Sequence, residues 1–195
     1  MEMLTQAQLD MELDRLEAAE ACRNLAGRLM YYDTAFRAGD IIKLWSRRGN
    51  EYLLCKDGEY RGYSAVCEFI SARYSAPREG RMGVHQLNTE VLSIAEDCQS
   101  AVGIWVSPGF DTQPDALATG VSQWEWNKIE IGFVREEEGW RINSLRIFSV
   151  LRSKFGEPWT KLPAKPNLKV GGTEMWVWAP DRFHPADQPP IPEKD

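Results

Sequence analysis

Asp33 and His85 are the residues from which a reaction could be built. His85, one of two histidines with His184, opens a stretch whose apolar residues alternate. Asp33 lies at the edge of a helical stripe, because Leu25, Leu29, Tyr32 and Phe36 are spaced four, three and four apart and share one face. A carboxylate there is costly to bury unless it is paired or used. Arg37, one turn on, is an available partner, so Asp33 reads either as half of an intrahelical ion pair or as an acidic group of a site. A histidine held by a carboxylate such as Asp33 is a base for a carbon-bound proton. Eliminating water, or isomerising next to a carbonyl, needs that base and a donor for the departing or developing oxygen. Tyr32 on the stripe, with Tyr52 or Tyr60, can donate; adjacent Tyr31 points about 100° away and faces elsewhere. His85 also reads as an ordinary strand-start histidine, and both readings stand at this point.

The remaining candidates shape a pocket. Glu125 shares one face of a strand with Ile129, Ile131 and Phe133, while Glu130 shares the other with Trp124 and Trp126, so a single carboxylate reaches the concave side. Arg146 is an anion clamp or a rim salt bridge. Trp105, Trp124, Trp126 and Phe148 supply an apolar lining for a flat cyclic compound, with Phe36 and Tyr60 as further contacts. Cys22, Cys55, Cys67 and Cys98 are scattered without a CxxC pair, which indicates neither a metal site nor a disulfide framework. No cofactor is implied.

Helices must position these residues first, and strands second. Thr5 and Gln8 form a capping box before a helix carrying Leu9, Leu13, Leu16, Cys22, Leu25 and Leu29 and running to Ala38. Gly39 is the expected left-handed stop and Asp40 the cap of a short second helix. Tyr52 to Cys55, a turn at Lys56-Asp57-Gly58-Glu59, and Tyr60 read as a hairpin. Ser64 then caps a third helix, closed by Pro77 and Gly80. From Met82 the period becomes two: strands His85 to Ile94, Ser100 to Val106, Gln123 to Val134 and Trp140 to Val150, with a loop from Pro108 to Gly120. This order predicts an α+β fold, residues 1–155, with helices on one face of a curved antiparallel sheet. Residues 156–195 form an irregular extension, since eight of the eleven prolines lie from Pro158 onward. Its Trp159, Trp176, Trp178 and Phe183 are expected to pack on the body or on a second subunit.

With 195 residues, 43% hydrophobic content and a net charge of -6, the chain suits one cored domain and lacks the basic footprint of a nucleic-acid or anionic-membrane binder. The acidic start and the absence of a long apolar run predict a soluble, cytoplasmic protein.

Four segments, YYDTAFRAGDIIKLW, GYSAVCEF, VHQLNTEVLSIAEDCQSAVGIW and EIGFVREEEGWRINSLRI, resemble in order and spacing the SnoaL-like branch of the nuclear transport factor 2-like (NTF2-like) superfamily, over about residues 10–150. That branch includes polyketide cyclases and scytalone dehydratase-like enzymes. The resemblance implies a cone of helices on a curved sheet, frequently paired into a homodimer. It also implies cofactor-independent dehydratase, cyclase or isomerase chemistry on a small hydrophobic molecule, with His85 at the position of the family's cavity-facing histidine. The family's helical aspartate and tyrosine positions fall on Phe36 and Arg37, with Asp33 and Tyr32 one turn earlier, and its second histidine has no counterpart between Ser100 and Gly109. A non-catalytic ligand-binding or dimerisation module, and a structural subunit of an oxygenase-type complex, are therefore the competing expectations.

Overall fold

The computed structural model describes residues 5–75, 80–113, 121–158, 166–170 and 173–176. Three helices, α1 (Gln6–Thr34), α2 (Ala38–Lys43) and α3 (Tyr63–Ser75), pack against a seven-stranded sheet. Its strands are β1 (Tyr52–Cys55), β2 (Gly58–Arg61), β3 (Gly83–His85), β4 (Asn88–Ile94), β5 (Ser100–Gln113), β6 (Val121–Glu136) and β7 (Gly139–Lys154). The order is β2-β1-β7-β6-β5-β3, with β4 beside β5, and only the β1/β7 pair is parallel. The expected α+β architecture is what the chain adopts. Register shifts at Trp126/Asn127 and Gly132/Phe133 bend the long β6/β7 ribbon. Among the described residues, no helix is long and apolar enough to cross a membrane.

Helix α1 begins as expected, with the Thr5 hydroxyl and the Gln8 side chain capping each other's backbone. Its first turns present their leucines to solvent, although Arg15 donates to the Ile94 carbonyl of β4. Leu9, Leu13 and Leu16 are exposed, and burial begins only at Ala18 and continues through Cys22, Leu25, Ala26 and Leu29. Helical spacing of apolar residues is necessary for a core face but does not supply a partner. The helix ends at Thr34, four residues short of Ala38, because Phe36 takes the left-handed conformation (φ 55°) that Gly39 was expected to provide. Its ring packs edge-on against Tyr74 and under the Arg81 guanidinium, which holds an otherwise unfavourable backbone in place. Gly39 and Asp40 thus fall inside α2, where Asp40 pairs with Arg37 and Lys43 in place of capping the helix.

The stretch expected as one strand from His85 divides into β3 and β4, and β5 runs through Pro108 to Gln113. Pro108 stands where β5 changes partners: Val106 faces Asn88 of β4, whereas Gly109 faces His85 of β3. Lacking an N–H, proline fits that changeover, and its carbonyl accepts from the Gln86 N–H. Residues 114–120 of the expected loop, and Pro77, lie outside the described residues. In the tail, β8 (Pro166–Val170) and β9 (Thr173–Trp176) form a separate antiparallel pair, more regular than the proline content implies. The side chains of Trp159, Trp176, Trp178 and Phe183 lie outside the described residues.

Candidate active site

The concave face carries a gradient from charge to hydrocarbon. Along β6 the inward residues are Glu125, Asn127 and Ile129, which their two-residue alternation places on one side. Their neighbours repeat the trend: Arg152, Ser149 and Ile147 on β7, and, running back from the turn into β1, Lys56, Cys55 and Leu53. Four residues of strand separate Glu125 from Ile129, about 13 Å. Between this face and the helices lies a cavity of about 820 Å³ counted out through its open mouth. Leu29, Ile41, Trp45, Phe69, Ile70 and Leu145 line its apolar part. Asp33, Arg73, Tyr74, His85, Lys56 and Glu125 line its polar part.

A single cross-strand row assembles the polar end. His85 faces Gly109, Gly109 faces Glu125, and Glu125 faces Arg152, across β3, β5, β6 and β7. Gly109 is required there. A Cβ added to it would stand 2.7 Å from His85 Nδ1 and closer still to the Val84 carbonyl oxygen. The imidazole therefore lies over a bare backbone, on the Glu125 side. Glu125 is 6% exposed and accepts two hydrogen bonds from Arg152, Nε at 2.8 Å. Lys56 Nζ is 3.5 Å from its Oε1 and 3.7 Å from Asp111 Oδ2, and Asn127 Nδ2 donates to its Oε2 at 3.3 Å. Burial alone would raise the Glu125 carboxyl, but the charges of Lys56 and Arg152, the Arg152 hydrogen bond and a smaller contribution from His85 hold it at about 2. Burial pushes the Lys56 ammonium below its ordinary range, partly offset by Glu125.

On the helical side, the Tyr74 hydroxyl donates to Asp33 Oδ1. Burial first, and then the Asp33 charge, raise the Tyr74 phenol. Asp33 therefore pairs with Tyr74 of α3, not with Arg37, which turns to Asp40. Among the described residues no hydrogen bond or ion pair joins Asp33 to His85, and the carboxylate on the imidazole's own row is Glu125. His85 Nδ1, Lys56 Nζ, Asn127 Oδ1 and Trp45 Nε1 are buried without a hydrogen-bond partner among the described residues. All four residues line this one cavity.

A SnoaL-like domain matches residues 14–146. The chain belongs to the SnoaL-like family. Its solved structural neighbours include an NTF2-like protein with a cystatin-like fold from Novosphingobium aromaticivorans (19% identity, 75% of this chain and 90% of that one, TM-score 0.57). A candidate scytalone dehydratase from the same organism aligns at 9% identity over 75% of this chain and 93% of its own, TM-score 0.59. A hexachlorocyclohexane dehydrochlorinase, LinA-type3 from Novosphingobium barchaimii, aligns at 14% identity over 78% and 99%, TM-score 0.59. These likenesses establish the NTF2-like cone. No curated protein matches the sequence.

Within this SnoaL-like cone the expected residues separate into two groups. Asp33, His85 and Glu125 line the cavity; Tyr32, Phe36, Tyr60, Trp105, Trp126 and Arg146 do not. Tyr32 lies under Arg37 at the helix edge, and Phe36 is spent on the left-handed turn. Tyr60 stacks on Phe69, and its hydroxyl donates to the Asp57 carbonyl. Trp105 is core, edge-on to Phe133, with its ring over the space left by Gly103. Trp126 faces the opposite side of β6 and is 47% exposed beside a second hollow that it shares with Trp124 and Phe110. Arg146 pairs with Glu130, directly across β6/β7, and lies over the Tyr52 ring, so it is a rim salt bridge. Lys56, Arg73, Tyr74, Asn127 and Arg152 went unread in the sequence. Only Asn127 had a signal, its parity with Glu125. Lys56 sits in what reads as a hairpin turn, and Tyr74 meets Asp33 only through tertiary packing.

Proposed function

We propose that the cavity is the active site of a cofactor-independent lyase or isomerase acting on a small hydrophobic, cyclic, oxygenated compound. The observation that carries this reading is that His85, Asp33 and Glu125 come from three separate elements to one cavity that is otherwise apolar. In an elimination, His85 takes the proton from a carbon beside a carbonyl. The C–H electron pair becomes the new double bond, and the bond to the leaving oxygen breaks with its pair, which a donor must protonate. Tyr74, donating to Asp33, holds that carboxylate on the helical side of the cavity. The apolar walls bind the ring and exclude water from the base.

The reading extends to a cytoplasmic homodimer, supported by four free cysteines and by Trp124, Trp126 and Phe155 exposed on the sheet. The test is the His85→Ala chain against a panel of cyclic hydroxy ketones, ketones and halides. Turnover by the parent should fall by about 10²-fold or more in a variant of unchanged fold. Equal turnover would remove His85 from the mechanism. Binding without any turnover would favour the ligand-binding module.

A further inference from the structure

Two of the unsatisfied atoms at the polar end are complementary to each other's chemistry. Asn127 is 2% exposed, and its Nδ2 must face Glu125, because a carboxylate of low pKa only accepts hydrogen bonds. Its Oδ1 is thereby left as a buried acceptor with no donor. Lys56 Nζ, on a side chain 15% exposed, approaches the other oxygen of the same carboxylate at a distance and angle that make an ion pair but no hydrogen bond, so its N–H groups remain to be used. A donor and an acceptor thus flank one carboxylate at the edge of one cavity.

We infer that Lys56 and Asn127 form a subsite for a neutral hydroxyl group, Asn127 Oδ1 accepting its hydrogen and Lys56 Nζ donating to its oxygen. A carbonyl, ether or halide satisfies at most one of the two. A carboxylate would place a third anion beside Glu125 and Asp111, whose charges Lys56 and Arg152 already balance. The gradient along the concave face sets the orientation: hydroxyl toward Glu125, ring toward Ile129, Leu145 and Trp45.

The inference rests on the proposed reaction only for its purpose. There, the hydroxyl is the leaving group and Lys56 gives the proton with which it departs as water. His85 then releases the proton taken from carbon to solvent, and Lys56 regains one from solvent through the open mouth, so both groups return to their starting states. That assignment favours hydroxylated substrates over halogenated ones.

The test needs no turnover. The isotopically labelled chain is titrated with phenol, anisole and chlorobenzene, and the amide shifts of cavity residues are followed by NMR. An apolar cavity alone ranks chlorobenzene and anisole above phenol, because both leave water more readily. The subsite predicts the reverse, phenol binding about tenfold or more tightly than either, since a site built for a hydroxyl leaves buried polar atoms unpaired without one. Asn127→Leu and Lys56→Met should each erase that preference, with dispersed spectra showing that they fold. Equal affinities, the apolar ranking, or no binding in the parent chain overturns the inference, whatever the variants do. Phenol preference without turnover of any compound defeats the proposed reaction alone; turnover without the preference defeats the subsite alone.

Discussion

Glu125 is the residue on which the polar end depends, and its ionisation should be visible in the stability of the whole chain. Its folded carboxyl lies near 2 against an ordinary 4.5. The stabilisation from the charged form is therefore fully present above about pH 4.5 and is lost as pH falls toward 2, of order 3 kcal/mol in all. Arg152→Met removes one of the two cations responsible. It should cost about 3 kcal/mol at neutral pH by leaving a buried carboxylate under-paired. It should also flatten the decline below pH 4.5, because the Glu125 carboxyl then sits nearer its ordinary value. Urea denaturation from pH 7 to 2.5 reads both effects, and parallel curves for the two chains would show that Arg152 is not the partner that matters.

The elements divide into those that form the cavity and those that extend beyond it. Helix α1 does both: Ala18 to Leu29 belongs to the core, while Leu9, Leu13 and Leu16 stand in solvent. Leu13→Ser should change stability by about 0.5 kcal/mol or less, whereas Leu25→Ala, at a side chain only 7% exposed, should cost about 2–4 kcal/mol. Comparable losses in urea melts would mean that the first turns are covered by another surface. Strand β5 shows the opposite economy, one long strand serving β4 with its first half and β3 with its second. That changeover at Pro108 sets His85 on the row that leads to Glu125.

At the scale of the whole molecule, a curved sheet with helices on one face leaves aromatic surface on the other, and the proposed homodimer would cover it. Sedimentation equilibrium should then return about twice the 22.3 kDa of the chain, while a single-chain mass at tens of micromolar would sink that expectation. Much of the architecture was legible in the sequence. The helix-then-strand order, the capping box and the alternation through β6 are local patterns, and local patterns record which side of an element is apolar. From them came the α+β order and His85, Asp33 and Glu125 as candidates; the cone was implied by the resemblance of four segments to the SnoaL-like family. They carry no record of what stands opposite. Leu13 continues the same helical spacing as Leu25 yet is 55% exposed. Trp105 and Trp126 are both strand aromatics, but one is core and the other outward. Lys56 lies in a turn, Tyr74 on another helix and Arg152 past the expected strand end, and only the folding of distant segments brings them to the carboxylates. Residue order and spacing were enough for the sequence of helices and strands and for the family, though not for where α1 ends or β5 stops. The tertiary structure decided which face is concave, which partner each charge takes and which atoms remain unpaired, because those depend on contacts between residues far apart in the chain.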